Sequence, residues 1–253
     1  MGLEKLIDLS QCSRLEDKYR GIISMPLDLP KFELDNADEF WRIWHTEKDR
    51  VARQVIDRGS VGTKNPTLDH TQWDGLALYE DESLLKDAAW RTKVSNALAE
   101  TQPNYLNRIL NDLPYVRIRS VRLWSAHRTI IPHYDGNMPP ELDGLMHFPT
   151  EIRIMLNDQN PEETFWLCSN EKYKPNTKKP VLKRDRYYVK LPQDTNTFVW
   201  NNEDCLHGAD YKEPYRKILV VIKGWVDVKR LEEMLDRSIA KYPDYTIRID
   251  KTK

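Results

Sequence analysis

Between Ala37 and Arg58 the apolar residues Phe40, Ile43, Trp44, Val51, Val55 and Ile56 recur at intervals that line one face of a helix, and Gly59 follows as a stop. The polar stretch after it, GSVGTKNPTLDH, reads as loop. From Ser83 to about Leu113 the pattern predicts one or two further helices, with Pro103 as a break or a helix start. After Pro114 the period falls to two. Residues 115–124 (YVRIRSVRLW) alternate, as do parts of 150–157, 186–192, 196–201 and 217–226. Tyr, Val, Ile and Trp dominate these runs, as strands prefer. The stretch VKRLEEMLDRSIA then returns to helical spacing, with Leu231, Met234, Leu235 and Ile239 on one face.

Helices first, then short strands without helices between them, predict an α+β chain whose antiparallel β core carries a helical layer outside. The expected form is a barrel or a jelly roll of the cupin kind, the latter a double-stranded β-helix. No repeat or linker divides the chain, so one domain is expected. Residues 1–114 would be a mainly helical flank, 115–226 the β core, and 227–253 a C-terminal helix and tail.

Composition narrows the function classes. The chain has 253 residues, 40% hydrophobic and 31% charged, enough to bury a full core. Its 39 basic and 40 acidic residues leave no bulk field to attract nucleic acid or an anionic membrane. No signal-peptide pattern or membrane-spanning run is present. Cys12, Cys168 and Cys205 form no CxxC pair and read as free thiols, so a cytoplasmic protein acting on a small molecule is expected.

Two His-x-acid triplets stand out: His45-Thr46-Glu47 and His133-Tyr134-Asp135. On a helix, residues two apart point roughly 200° from each other, so His45 and Glu47 read as a solvated helix face. On a strand they project to one side, so His133 and Asp135 can reach a common ion. Pro132 and Gly136 bracket them, as suits a strand end opening into a loop. His207 lies between the strand TFVW and the strand KILVVI and supplies a third ligand. Two histidines and one carboxylate suit non-heme Fe(II) with open positions, and a three-ligand zinc site uses the same residues. Arg216, nine residues after His207, sits at the start of the next strand, where a planar guanidinium can grip a carboxylate. Arg153 lies on another strand, on the opposite face from Ile152, Ile154 and Leu156. Inward arginines beside a metal imply an anionic cosubstrate.

These motifs, RTIIPHYD (128–135), EIRIMLN (151–157), FVWNNEDCLHGAD (198–210) and YRKILVVIKG (215–224), resemble those of the Fe(II)/2-oxoglutarate-dependent oxygenases. Within that family they are similar to the aspartyl/asparaginyl β-hydroxylase-like branch, which includes small bacterial amino-acid hydroxylases. The resemblance spans roughly residues 115–226. It implies that His133, Asp135 and His207 hold Fe(II), that Arg216 binds the distal carboxylate of 2-oxoglutarate, and that Arg153 supports this cosubstrate. It further implies that O2 and 2-oxoglutarate are consumed, with release of succinate and CO2, as an unactivated C–H is hydroxylated. Related halogenases have Gly or Ala where this chain has Asp135, so the carboxylate implies hydroxylation. Two departures stand out: Met155 replaces a histidine often found in the branch, and an acidic insertion covers Asn137–Met146. The latter would lie beside the metal as a lid.

The substrate candidates are Trp73, Asp74, Arg122, Trp124 and Asn137, with Trp124 and Trp225 also read as core. A free amino acid or its derivative is the expected substrate. A peptide or protein side chain, a cupin-like zinc or manganese isomerase or hydrolase, and a non-catalytic ligand-binding barrel are the alternatives.

Overall fold

Ten residues from Lys217 to Val226, KILVVIKGWV, form a long strand rich in Val and Ile that lies inside a seven-stranded sheet. The computed structural model describes residues 19, 21–57, 73–81, 94–126, 130–133, 151–156, 165–169, 172–174, 180–201, 205–210 and 217–249. Residues 48–57, 73–74, 125–126, 130–131 and 217 are described in backbone only.

Eleven strands and four helices occur among the described residues. The strands are β1 (Ile22–Pro26), β2 (Trp73–Glu80), β3 (Tyr115–Ala126), β4 (Ile130–His133), β5 (Glu151–Met155) and β6 (Phe165–Cys168). There follow β7 (Tyr187–Tyr188), β8 (Thr197–Trp200), β9 (Leu206–Ala209), β10 (Lys217–Val226) and β11 (Ile247–Arg248). The helices are α1 (Ala37–Asp57), α2 (Asn96–Glu100), α3 (Pro103–Asp112) and α4 (Val228–Lys241).

The strands form two antiparallel sheets, a large one in the order β11-β1-β8-β5-β10-β3-β2 and a small one in the order β4-β9-β6-β7. From β3 to β10 the chain shuttles between them: β3, β5, β8 and β10 lie in the large sheet, and β4, β6, β7 and β9 in the small. That shuttling brings segments far apart in sequence face to face.

The large sheet is buried on both sides, which is why β10 is almost wholly apolar. Ile218, Val220 and Ile222 point to the helical layer, where they pack with Ile152, Ile154 and Val199. Phe40 and Trp44 of α1, Tyr105 and Ile109 of α3, and Leu231 and Leu235 of α4 complete that core. Leu219 and Val221 point the other way, against Phe165, Leu167 and Ala209 of the small sheet. Alternation along one strand thus feeds two cores.

Local signals start and stop the helices where the pattern predicts. Pro103 occupies the first turn of α3, and Asp35 Oδ2 accepts from the backbone N–H groups of Asn104 and Tyr105 at 2.7 and 3.1 Å. Asp227 caps α4 by accepting from Arg230 N at 3.1 Å. His45 and Glu47 lie within α1, and the His45 ring is exposed.

Two expectations change. The first 114 residues also supply β1 and β2, and the C-terminal tail supplies β11, so the sheet reaches beyond 115–226. β1 is five residues buried on both sides, IISMP, with no alternation to reveal it. His207, expected at the end of β8, lies in a strand of its own, β9. Among the described residues no helix is long and apolar enough to cross a membrane.

Candidate functional site

The two histidines read from the sequence meet across a strand pair. β4 runs antiparallel to β9 with His133 directly opposite His207. Directly opposed residues on an antiparallel pair project to the same face, and here the ring centroids lie 4.3 Å apart at 53°. His207 is buried, and its Nδ1 sits 3.2 Å from the carbonyl oxygen of Cys205. A carbonyl only accepts, so this contact requires the proton on Nδ1. In the neutral ring Nε2 then carries the lone pair, as a metal ligand must. The ring of Trp200, from the large sheet, lies 5.0 Å from that of His207.

Between the sheets is a cavity of about 190 Å³ lined by both histidines and by Phe165, with Gly208 and Ala209 beside them. Its opposite wall comes from the large sheet: Trp124, Arg122, Leu219, Val221, Lys223 and, nearer His207, Glu151, Arg153 and Trp200. Register explains the set. Val221 on β10 is opposite Arg122 on β3 and Arg153 on β5, and Leu219 is opposite Trp124. Positions two apart on a strand share a face, so Lys223 and Glu151 join them.

The cavity wall is charged in an ordered way. Arg153 donates through Nη2 and Nε to Glu151 Oε2 at 2.6 and 3.2 Å, and its guanidinium lies 3.9 Å above the Trp200 ring. Lys223 forms an ion pair with the other Glu151 oxygen. Arg122 is tied through Nη2 to Glu80, a buried carboxylate at the end of β2. Charges this far from water persist only when paired, which gives these contacts fixed geometry. Trp124 is held by a different device. A Cβ on Gly75, its partner across β2 and β3, would lie 2.8 Å from the indole ring, so only glycine lets the ring lie flat there.

Of the residues singled out in the sequence, His133, His207, Arg153, Arg122 and Trp124 therefore surround one cavity. The backbone of Trp73 and Asp74 begins β2, and their side chains lie outside the described residues. Asp135, Asn137 and Arg216 lie outside them too, as do the insertion at 137–146, His127 and His147. Among the described residues no group of three or more His, Cys, Asp or Glu side chains is placed to hold an ion. His133 and His207 supply two imidazole donors, a set that fits Fe(II) or Zn(II). Trp225, read as core, is buried and does not line the cavity.

Glu80, Glu151, Phe165, Trp200 and Lys223 were not singled out in the sequence. Parity carries the missed signal: once Arg153 and Arg122 face inward, Glu151 and Lys223 follow from the period of two.

The class defined is thus an α+β protein with a polar cavity between two antiparallel sheets and paired histidines on its wall. No protein-family model matches the chain, and no curated protein does. Among solved structures it is similar to HygX from Streptomyces hygroscopicus with nickel, 2-oxoglutarate and hygromycin B bound: 13% identity, 81% of this chain, 83% of the other, TM-score 0.36. It is also similar to SnoK, a non-heme alpha-ketoglutarate-dependent carbocyclase from nogalamycin biosynthesis: 15% identity, 83% and 84% coverage, TM-score 0.35.

Proposed function

We propose that the cavity is the active site of an Fe(II)/2-oxoglutarate-dependent oxygenase that hydroxylates a small polar substrate, a free amino acid or its derivative. The observation that carries this reading is the register of His133 with His207 at 4.3 Å on one wall of a cavity whose other wall is cationic. Strand order supports it: β3 to β10 shuttle between sheets in the manner of a double-stranded β-helix, the core the motifs imply. We further place the chain in the aspartyl/asparaginyl β-hydroxylase-like branch, on the motifs around His133, Arg153, His207 and Arg216.

In this reading His133, Asp135 and His207 hold the metal. Bound there with 2-oxoglutarate and O2, Fe(II) supplies oxidative decarboxylation to succinate and CO2 coupled to oxygen insertion into a C–H bond. The carbonyl of Cys205 keeps Nε2 of His207 available by fixing the proton on Nδ1. Arg216 grips the distal carboxylate of the cosubstrate, and Arg153, held by Glu151 and by Trp200, supports it. Phe165, Trp200 and Leu219 exclude water from the space between. Asp135 keeps the third protein position a carboxylate, which favours hydroxylation.

The test is succinate release by the pure protein with Fe(II), 2-oxoglutarate and a library of amino acids and derivatives. Iron-dependent succinate, stimulated by one substrate class and lost in Arg216→Ala and His207→Ala, is the expected result. Copurified zinc together with metal binding indifferent to Arg216→Ala and no succinate would sink the oxygenase reading.

A further inference from the structure

The cationic wall has two ends, and they differ in how their donors are used. Across the sheet, Arg122, Val221 and Arg153 stand in one row on β3, β10 and β5. Two strand spacings separate the arginine α-carbons by roughly 10 Å. At the Arg153 end the guanidinium fork is committed to Glu151 and its face to Trp200. At the Arg122 end Nη2 is the nitrogen in use among the described residues, on Glu80. Arg122 Nε is buried and has no hydrogen-bond partner among the described residues. Buried N–H donors are nearly always satisfied, so the one left over on Arg122 points to a missing oxygen acceptor. Lys223, on the same strand face as Val221, also lines this wall, its ammonium paired with Glu151. Between the arginines the floor is Val221 and Leu219, short aliphatic groups suited to a carbon skeleton rather than a second charge.

We propose that the Arg122 end of the cavity receives a carboxylate of the substrate, and that Glu80 is a positioning residue that holds the guanidinium toward it. The assignment rests on the oxygenase reading in giving the cosubstrate to the Arg153 and Arg216 side, and it names the chemistry of the substrate: a small acid whose carboxylate is anchored by Arg122. An arginine with a pinned Nη2 presents its remaining N–H groups at fixed angles, which suits a planar carboxylate and not a neutral amide.

The experiment compares matched acid and amide probes, a set of α-amino acids and their primary carboxamides. Binding to the full chain is followed by ligand-observed NMR with Ni(II) and 2-oxoglutarate present, and again without them. At least one acid is expected to bind about tenfold or more tightly than its amide. Arg122→Gln is expected to bring that ratio close to one, and Arg122→Lys to retain part of it. The affinity for 2-oxoglutarate, measured with Ni(II), should stay within about twofold in both variants. Glu80→Gln, which leaves Arg122 in place but loosens it, should lower the acid-to-amide ratio severalfold; this variant decides the matter if Arg122→Gln does not fold. A ratio near one for every pair, a ratio unchanged in the variants, or a tenfold loss of 2-oxoglutarate affinity in Arg122→Gln overturns the proposal. The last result would give Arg122 to the cosubstrate. Failure of the wild-type protein to bind 2-oxoglutarate with metal overturns the oxygenase reading instead, while the acid-to-amide ratio without cosubstrate still decides for or against a carboxylate receptor at Arg122.

Discussion

His133 and His207 stand opposite one another on adjacent antiparallel strands, ring centroids 4.3 Å apart, and the His207 proton is fixed by the carbonyl of Cys205. Two imidazoles so placed give a divalent ion a pair of donors without rearrangement of the strands. Either His133→Ala or His207→Ala is therefore expected to weaken Ni(II) or Fe(II) binding by more than about a hundredfold, measured by calorimetry under anaerobic conditions. Circular dichroism should remain that of the wild type. His45→Ala, on an exposed face of α1, should leave metal affinity unchanged, and equal losses in all three variants would refute the pairing.

Arg153 is fixed on two sides at once, by the Glu151 carboxylate and by the Trp200 ring, which also neighbours His207. Lysine keeps the charge but has neither the fork nor the planar face. Under the proposed oxygenase function, the KM for 2-oxoglutarate is expected to rise about tenfold in Arg153→Lys with a smaller change in kcat, because an orienting contact shared by ground and transition states would be lost. A variant with kcat reduced and KM untouched would assign Arg153 to another step.

Gly75 lets Trp124 lie against β2 on the cavity wall. Alanine there forces the indole to move, and Gly75→Ala is expected to cost about 1–3 kcal/mol of stability by overpacking. In a Trp124→Leu background the same change should cost less than about 0.5 kcal/mol, since the clashing ring is gone. Urea unfolding of the four proteins of this cycle measures the coupling. Equal costs in both backgrounds would mean that the ring does not explain the glycine.

The alternating run at 115–124 and the helical face of Leu231, Met234 and Leu235 were legible because each shows a patterned face, and 217–226 because β-branched residues crowd it. β1 and β6 were not: IISMP and FWLC are buried on every residue, so neither strand alternation nor helical period survives in them. The same physics limited the site. His133 and Arg153 announce themselves by residue type, whereas Trp200 looks like any core indole until register sets it between Arg153 and His207. Glu80 enters only because β2 joins the sheet beside β3, a pairing that depends on long-range topology and not on its local sequence.

On the outer side of the small sheet, Asp185 joins Tyr173 and Lys172. The Tyr173 hydroxyl donates to its carboxylate at 2.6 Å, and the Lys172 ammonium lies 2.9 Å away. The tyrosine hydrogen bond first, and the ammonium second, hold the Asp185 carboxyl below its usual range. A carboxylate with a depressed folded value binds fewer protons in the folded state, so its stabilising contribution is complete above the unfolded value of about 3.9 and fades as pH falls through the folded one. Lys172 is shifted upward, chiefly by the same carboxylate, so its share is complete below about 10.4 and fades as pH rises through its folded value. The stability difference between wild type and Asp185→Asn should accordingly be flat from about pH 5 to pH 9 and shrink at either extreme, first at the acid side on acidification below about pH 4. Urea midpoints across that range read it directly. A difference that grew on acidification would reverse the sign and require Asp185 to be destabilised as an anion in the folded protein.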